Sequence, residues 1–308
     1  KNDLSYRKSA QQLYDRLFKP AMTNLLGIDT LIIIPDDVLW KLPFQALLTP
    51  NNRFLIEDYT ISYTPSLAVL RETMKKESKQ LAKQKSSLTL LAFGNPTFDG
   101  ENEDRFRYLL QKLEPLPNAK QEVIALQQIY GRNNSVIYLG KDATEEHLKA
   151  WAERCTILHI ATHGIVNSET PMYSKLVLAQ PTEGSAEDGL LEAWEILNLD
   201  LNAELVVLSA CDTAIGKIEK GEGVIGLVWA LLISGCPTTV VSQWKVADLS
   251  TKEFMKSFHL NLKPRFTNGG KRIMKASALR QAALTLIRDR RYRHPLFWAA
   301  FTMIGNGY

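Results

Sequence analysis

Short apolar runs alternate along this chain with longer segments in which apolar residues recur at helical spacing. The apolar runs are rich in β-branched residues and end at polar or turn-forming residues, which is typical of buried strands. They cover residues 31–34, 54–63, 87–94, 135–139, 156–162, 204–210 and 238–243, and the apolar stretch 297–304 closes the chain after His294-Pro295. The amphipathic segments predict helices over 5–26, 66–82, 118–130, 144–155, 190–197, 224–234, 249–262 and 277–288.

This alternation predicts an α/β fold. Strands that are apolar on both faces need cover on both faces, so we expect a mainly parallel sheet flanked by helices on both faces. Segment 75–87 is rich in Lys, Gln and Ser and offers few residues that could pack in a core, which makes it the best candidate boundary. We therefore expect an N-terminal α+β module over residues 1–86, packed on or preceding a larger domain over residues 87–308.

Two of the predicted strands end in reactive side chains. The strand over 156–162 runs into His163 and Gly164, and the strand over 204–210 runs into Cys211 and Asp212. A buried strand has no packing reason to end in this way, and functional residues of parallel sheets gather at the carboxyl ends of the strands. We therefore expect these two strand ends to lie side by side.

The combination of His163 with Cys211 favours nucleophilic catalysis. A free thiol has a pKa of about 8.5, so at neutral pH it needs a base to take its proton or a cation to lower its pKa. An imidazole at the neighbouring strand end can do either. Gly164, which follows His163 directly, could point its backbone N–H into the site and bind a developing oxyanion together with the N–H of Cys211.

Other residues of the same types have a structural interpretation. A cysteine in an apolar run is usually an inert core residue, and we adopt that interpretation for Cys155 and Cys236. His159 lies on the same strand face as His163 by the two-residue period of a strand and is interpreted as structural. The remaining singled-out residues, His259, His294 and the Asp188-Gly189 pair, read as helix, loop and turn residues.

Composition narrows the function classes. The 308 residues carry 37 basic and 33 acidic side chains, a net charge of +4 that is too small to argue for nucleic-acid binding. Three cysteines give no disulfide framework or zinc pair and favour a reducing, cytoplasmic compartment. The longest apolar run, 223–237, is shorter than the roughly 20 residues that span a bilayer. No phosphate-binding or dinucleotide fingerprint is present, and no His, Asp or Glu spacing suggests a metal site, so we expect chemistry without a cofactor or metal.

Taken in order, these motifs resemble those of the CHAT family, the caspase-like domains that often follow tetratricopeptide repeats in bacteria. The resemblance covers nearly the whole chain. Cys211 follows His163 by 48 positions, against about 50 in caspases. The residues that carry it are Ile34-Pro35, Leu42-Pro43-Phe44, His159 to Gly164, Asp188 to Leu191, Leu208 to Thr213, Gly221-Glu222-Gly223, Ser242 to Asp248, His294-Pro295 and Phe297 to Phe301. The sequence departs from the family pattern at one point. Many family members carry Thr-Gly after the residue that follows the nucleophile, whereas here Thr213 is followed by Ala214-Ile215-Gly216 and the glycine comes two residues later.

The resemblance implies a caspase–hemoglobinase fold, a His163/Cys211 dyad and hydrolysis of a specific peptide bond in a protein substrate. It places the substrate strand beside Ser242 to Lys245, with Trp244 as a pocket wall and Ser242 or Gln243 pairing with the peptide backbone. It implies that Asp248, or alternatively Asp212, faces a basic residue before the scissile bond. It also implies a role in bacterial defence or regulated cell death, and upstream repeats or an activating partner. Because the chain begins at Lys1, we expect a fragment of a longer protein.

Two other function classes remain open from the sequence. One is a latent or inactive scaffold module that binds a partner or is activated by it. The other is a thiol-dependent acyl transferase or a redox-sensing cysteine, neither of which needs a His-Gly pair at the adjacent strand end.

Overall fold

The computed structural model describes residues 4–82, 88–97, 113, 115–167, 169–181, 184–209, 222–266 and 273–308. Within these residues, eight strands form one sheet and three form a second, smaller one. The strands are β1 (Thr30–Ile33), β2 (Thr60–Tyr63), β3 (Leu88–Pro96), β4 (Ser135–Gly140), β5 (Cys155–Ala161), β6 (His163–Ile165), β7 (Lys175–Val177), β8 (Leu190–Glu192), β9 (Leu205–Leu208), β10 (Thr238–Ser242) and β11 (Phe301–Gly305). The α-helices are α1 (Tyr6–Leu17), α2 (Leu55–Asp58), α3 (Leu67–Ala82), α4 (Pro117–Tyr130), α5 (Glu145–Trp151), α6 (Ala193–Ile196), α7 (Glu222–Ser234), α8 (Asp248–Leu262) and α9 (Lys275–Arg288).

The large sheet is mostly parallel, as predicted. Its strand order is β1-β2-β11-β10-β9-β5-β3-β4. Strands β4, β3, β5, β9 and β10 run in one direction, and β11, β2 and β1 run in the other. The one antiparallel contact in this order lies between β10 and β11. The carboxyl ends of the five strands that run in the same direction as β5 therefore meet at one edge of the sheet.

Helices flank the sheet on both faces, which explains why its central strands are buried. Helices α4, α8 and α9 pack side by side, while α3 contacts β11 and α7 contacts β10. Every residue of β9 is buried, and so is every residue of β5 except Thr156. The predicted fold class is confirmed.

The first 63 residues differ in detail from their predicted elements. Helix α1 ends at Leu17, and a 3₁₀ helix, Lys19–Leu25, follows it. Pro20 lies at the start of that 3₁₀ helix, and a proline cannot continue an α-helix because it lacks an N–H and clashes with the preceding turn. The predicted strand 54–63 begins instead as the single turn α2, where the carboxylate of Glu57 accepts the N–H of Phe54 at 2.7 Å.

The described part of the lysine-rich segment 75–87 belongs to helix α3. Helix α3 continues to Ala82, and its Glu77 is buried. The Glu77 carboxylate pairs with Arg265 and accepts a hydrogen bond from Asn306, and the Lys275 ammonium lies 3.2 Å from it. Glu77 is the one buried residue among 75–80, which agrees with the prediction that few residues of this segment pack in the core. The proposed boundary at 86/87 stays a prediction, since residues 83–87 lie outside the described residues.

Two further segments depart from their predicted elements. Residues 190–197, expected to be helical, begin as strand β8 and become helical only at Ala193. His294-Pro295 opens a 3₁₀ turn, Pro295–Phe297, and the last strand starts at Phe301. No helix in the described part of the chain is both long and apolar enough to cross a membrane.

Candidate active site

Strands β5 and β9 bring the two reactive strand ends together. They pair in parallel, with Ile160 opposite Leu208, and the N–H of Ser209 donates to the carbonyl of Ile160 at 2.9 Å. The predicted adjacency of these two strand ends is confirmed. Cys211, the predicted nucleophile, and Asp212 lie just beyond Ser209, outside the described residues. Their roles therefore stay predictions.

His163 belongs to a second sheet that begins where β5 ends. Strand β5 of the large sheet ends at Ala161, and β6 begins at His163. Between them, the hydroxyl of Thr162 donates to the carbonyl of Val177. The small sheet has the order β6-β7-β8 and is antiparallel throughout. His159 and His163 thus lie in different sheets, so the two-residue period does not carry from one to the other. His163 is 2% exposed.

The register of the small sheet fixes the direction of the Gly164 backbone. Ala193 N–H donates to Ser174 O, and Leu178 N–H donates to Gly189 O. In an antiparallel pair, the backbone groups of successive residues point to opposite sides. On β7, therefore, Leu176 faces β8, whereas Lys175 and Val177 face β6.

This alternation carries across to β6. His163 lies opposite Val177, and Ile165 lies opposite Lys175, so these two β6 residues exchange hydrogen bonds with β7. Gly164, between them, consequently directs both its N–H and its C=O away from β7. The residue predicted to supply an oxyanion donor has its N–H on the outer edge of the strand.

The segment after β10 is anchored to its neighbours. The N–H of Gln243 donates to Ala300 O at 2.9 Å, and its side-chain amide donates to Trp40 O at 2.9 Å. The indole N–H of Trp244 donates to Leu296 O at 3.1 Å. Ser242 is buried in β10 opposite Phe301. The backbone N–H of Gln243 is therefore already engaged, which leaves substrate pairing by this segment to its other backbone groups.

Asp248 has a structural contact in addition to its predicted pocket role. Its Oδ2 accepts both the backbone N–H and the side-chain amide of Asn118, each at 2.9 Å. This contact joins the first turns of α4 and α8. The carboxylate also stabilises the positive N-terminal end of α4.

A row of four buried polar side chains connects β5 with α4 and α8. Oε1 of Glu122 is 2.7 Å from Nε2 of His159, Nδ1 of His159 is 3.2 Å from Nε2 of His259, and Nδ1 of His259 is 3.1 Å from the hydroxyl of Tyr130. Burial, and next the neighbouring His159, lowers the pKa of His259 well below its ordinary value. Burial raises the pKa of Tyr130. His159 and His259 are therefore structural, as predicted.

The sequence analysis did not predict that these four side chains contact one another. Glu122 sits in a helix otherwise read from its apolar positions, and His259 falls among the core residues Met255, Phe258 and Leu262 of α8. A titratable residue among the apolar positions of a helix is the sequence signal that could have indicated such a contact, because a buried titratable residue needs a buried partner. The identity of that partner depends on the tertiary structure.

The other two thiols are unsuited to nucleophilic chemistry. Cys155 and Cys236 are both free and fully buried. Burial, with a smaller contribution from Cys236, raises the pKa of Cys155 to about 12, and burial raises the pKa of Cys236 to about 12 as well. The prediction that both are core residues is confirmed.

One group of carboxylates in the described part of the chain has the spacing of a cation site. Glu145, Glu187 and Glu195 converge, but the ammonium of Lys149 already lies among them, at 2.7, 2.5 and 3.1 Å. Burial raises the pKa of Glu145 to about 8. This cluster joins α5 to the segment before β8, where Glu145 also accepts the N–H of Gly189 at 3.2 Å.

Comparison with solved structures defines the class of fold. The separase–securin complex of Saccharomyces cerevisiae is similar over 86% of this chain and 15% of that chain, with a TM-score of 0.52 and 18% identity. Gingipain R, an Arg-specific cysteine proteinase, is similar over 99% of this chain and 68% of that chain, with a TM-score of 0.54 and 9% identity. At these identities the likeness shows the fold, which is that of the caspase-like cysteine peptidases.

Within that class, the family is settled by sequence. The family model described as CHAT domain matches residues 7–306, so the chain belongs to the CHAT domain family. Tetratricopeptide repeat protein 28 is 26% identical over 340 aligned residues in Mus musculus and 27% identical over 335 in Homo sapiens. Each alignment covers 96% of this chain and 13% of the relative, so the chain spans about an eighth of the length of these relatives.

Proposed function

We propose that this domain is a cysteine endopeptidase that hydrolyses a specific peptide bond in a protein substrate. The observation that carries the proposal is the pairing of β5 with β9, which brings the strand ends before His163 and Cys211 to adjacent positions at one edge of the sheet. His163 acts as general base and Cys211 as nucleophile. The N–H of Gly164, directed to the outer edge of β6, binds the oxyanion together with the N–H of Cys211.

The proposed reaction takes two steps. The imidazole of His163 takes the thiol proton of Cys211, and the thiolate attacks the scissile carbonyl carbon. The carbonyl oxygen becomes an oxyanion held by the two backbone N–H groups. The C–N bond then breaks, and the imidazolium gives its proton to the leaving amine. Water, deprotonated by His163, attacks the resulting thioester, which releases the carboxylic acid and restores the thiol.

Substrate recognition is proposed for the segment after β10 and the residue beyond the nucleophile. Trp244 forms a pocket wall, Ser242 or Gln243 pairs with the peptide backbone, and Asp248 or Asp212 meets a basic side chain before the scissile bond. The position of Trp244 supports the first assignment, because its ring is partly exposed and its N–H is held by Leu296.

The protein context is proposed from the relatives. Both are named for tetratricopeptide repeats, which supports such repeats, or a partner protein, as the element that presents the substrate or activates the site. A role in bacterial defence or regulated cell death, in the cytoplasm, rests on the family resemblance alone.

The proposal is tested by incubating a peptide library with mixed residues before the scissile bond with the wild-type chain, Cys211→Ala and His163→Ala. We expect cleavage by the wild type and loss in both variants, with the preferred residue read from the products. Cys155→Ala is the matched control, since that thiol is buried with a raised pKa. Equal cleavage by the wild type and Cys211→Ala would contradict the proposal.

A second candidate is a latent or inactive scaffold module, favoured by the fact that the relatives are named for their repeats. Thiol labelling separates the two. In a peptidase, His163 lowers the pKa of Cys211, so iodoacetamide labels one thiol quickly at pH 6 and His163→Ala slows the labelling. In a scaffold, the rate at pH 6 is that of an ordinary thiol and does not respond to His163→Ala.

A further inference from the structure

The outer edge of β6 has the form of a binding strand. Within the described ranges, β6 pairs with β7 alone, and its other edge carries the N–H and C=O of Gly164. The edge of a sheet presents unpaired backbone groups that can pair with an extended chain. His163 and Gly164 are buried and Ile165 is half-buried, so a chain that pairs with this edge lies beside the proposed site and takes the place of what now covers Gly164.

Among the described residues next to this edge, the charged side chain of Lys175 is paired. Ile165 is half-buried next to Lys175, and Lys175 lies opposite Glu192 on β8. The Lys175 ammonium donates to the Glu192 carboxylate at 2.5 Å, so its charge is neutralised. An extended chain on this edge would be held through backbone hydrogen bonds to β6.

The direction of that chain follows from hydrogen-bond geometry, given the proposed function on which this inference rests. In that function, the N–H of Gly164 binds the oxygen of the residue before the scissile bond, P1. In a parallel pair, a residue donates to one partner residue and accepts from the residue two positions further along. The C=O of Gly164 would then accept the N–H of P2′, the second residue after the scissile bond.

We propose that the part of the substrate that follows the scissile bond lies parallel to β6, with the P2′ N–H bonded to the carbonyl of Gly164. In the antiparallel alternative, P1 itself would use both groups of Gly164, and P2′ would make no bond to this edge. The two arrangements differ in which substrate amide is needed.

The test uses octapeptides that carry the residue selected in the library at P1 and extend to P4′. One peptide has amides throughout. In three others, a single N–H, at P1, P2′ or P3′, is replaced by an ester oxygen, which removes one donor with little change of shape. We expect kcat/KM to fall about 3- to 10-fold for the P2′ ester, the effect of one hydrogen bond, and to stay unchanged for the P3′ ester.

The outcomes separate this inference from the proposed function. Cleavage of the all-amide peptide that requires Cys211 supports the peptidase whatever the esters do, and its absence overturns the peptidase. If the P2′ ester is cleaved as fast as the all-amide peptide, or loses no more than the P3′ ester, parallel pairing to β6 is wrong. Loss confined to the P1 ester would assign the antiparallel arrangement instead.

Discussion

Nε2 of His159 lies 2.7 Å from Oε1 of Glu122, and both side chains are buried. A carboxylate only accepts hydrogen bonds, so His159 donates from Nε2 to Glu122. With one proton on each ring, Nδ1 of His159 accepts from the Nε2–H of His259. His259 then accepts at Nδ1 from the hydroxyl of Tyr130. Each ring nitrogen of the two histidines then has one hydrogen-bond partner. An added proton on His259 would place a charge in the core, which burial opposes.

The row of buried side chains that contains His159 and His259 predicts a loss of stability in acid. The folded pKa of His259 is lowered, so its contribution is complete above the unfolded pKa of about 6.5 and is lost as the pH falls below it. Between pH 7 and pH 5, we expect the free energy of unfolding to fall by up to about 1.4 kcal/mol per pH unit from this group. Urea unfolding at pH 5, 6 and 7 measures the slope. His259→Gln should flatten it and the half-buried His147→Gln should not; equal slopes in the two variants would refute the assignment.

The buried Glu77 carboxylate predicts a large effect of its removal. Glu77→Ala leaves the buried Arg265 and Lys275 without their shared partner, and such a loss costs about 3–5 kcal/mol of unfolding free energy. The matched control on the same helix is Glu72→Ala, which removes exposed pairs with Arg71 and Lys75 and should leave stability unchanged. Denaturant unfolding compares them. Similar midpoints for both variants would show that the buried cluster does not stabilise the fold.

Gly305 predicts a second, steric effect. Its φ is +104°, and a Cβ at this position would lie 2.2 Å from the carbonyl oxygen of Pro237. We expect Gly305→Ala to cost more than about 3 kcal/mol, because β10 and β11 must separate to admit the methyl group. Gly27, with φ +77° and no atom within 4 Å of its Cβ position, is the control, and Gly27→Ala should cost about 1–2 kcal/mol. Thermal unfolding distinguishes the two, and equal shifts in Tm would argue against the close approach.

Asp248→Asn separates the two roles of Asp248. Asparagine keeps an oxygen that can accept the hydrogen bonds of Asn118, so we expect the melting temperature to stay near that of the wild type. If the charge faces a basic P1 side chain, kcat/KM should fall at least about 10-fold for an Arg substrate and stay unchanged for a Leu substrate. An unchanged Arg-to-Leu ratio would leave Asp248 with its structural contact alone.

The sequence predicts the centre of this fold better than its margins. The strands before His163 and Cys211 are apolar and end in polar residues, so their adjacency follows from the rule for parallel sheets, and the register of Ile160 with Leu208 agrees. The direction of the N-terminal strands has no such local signal. β1 and β2 run opposite to β10, because they join the sheet through β11.

The parts of the site that escaped prediction are those set by distant contacts. Gln243 is held by Trp40, more than two hundred residues earlier, and Glu122 meets His159 from another element. Periodicity reports which face of an element is buried, but not which polar group will meet it there. The backbone N–H and C=O of Gly164 point away from β7 because of which β7 residues form hydrogen bonds with β8. No residue type in β6 specifies that pattern.

The position of β11 between β2 and β10 also governs how the chain can be made. Tyr63 pairs with Ile304, so the strand that completes the early part of the sheet is synthesised last. The segment between Tyr63 and Ile304 forms a long loop, and closing it costs conformational entropy before the contact between β2 and β11 is gained. On the ribosome, β1 and β2 therefore have no sheet edge to join until β11 has emerged. We expect the nascent domain to depend on chaperones that cover its apolar edge until then.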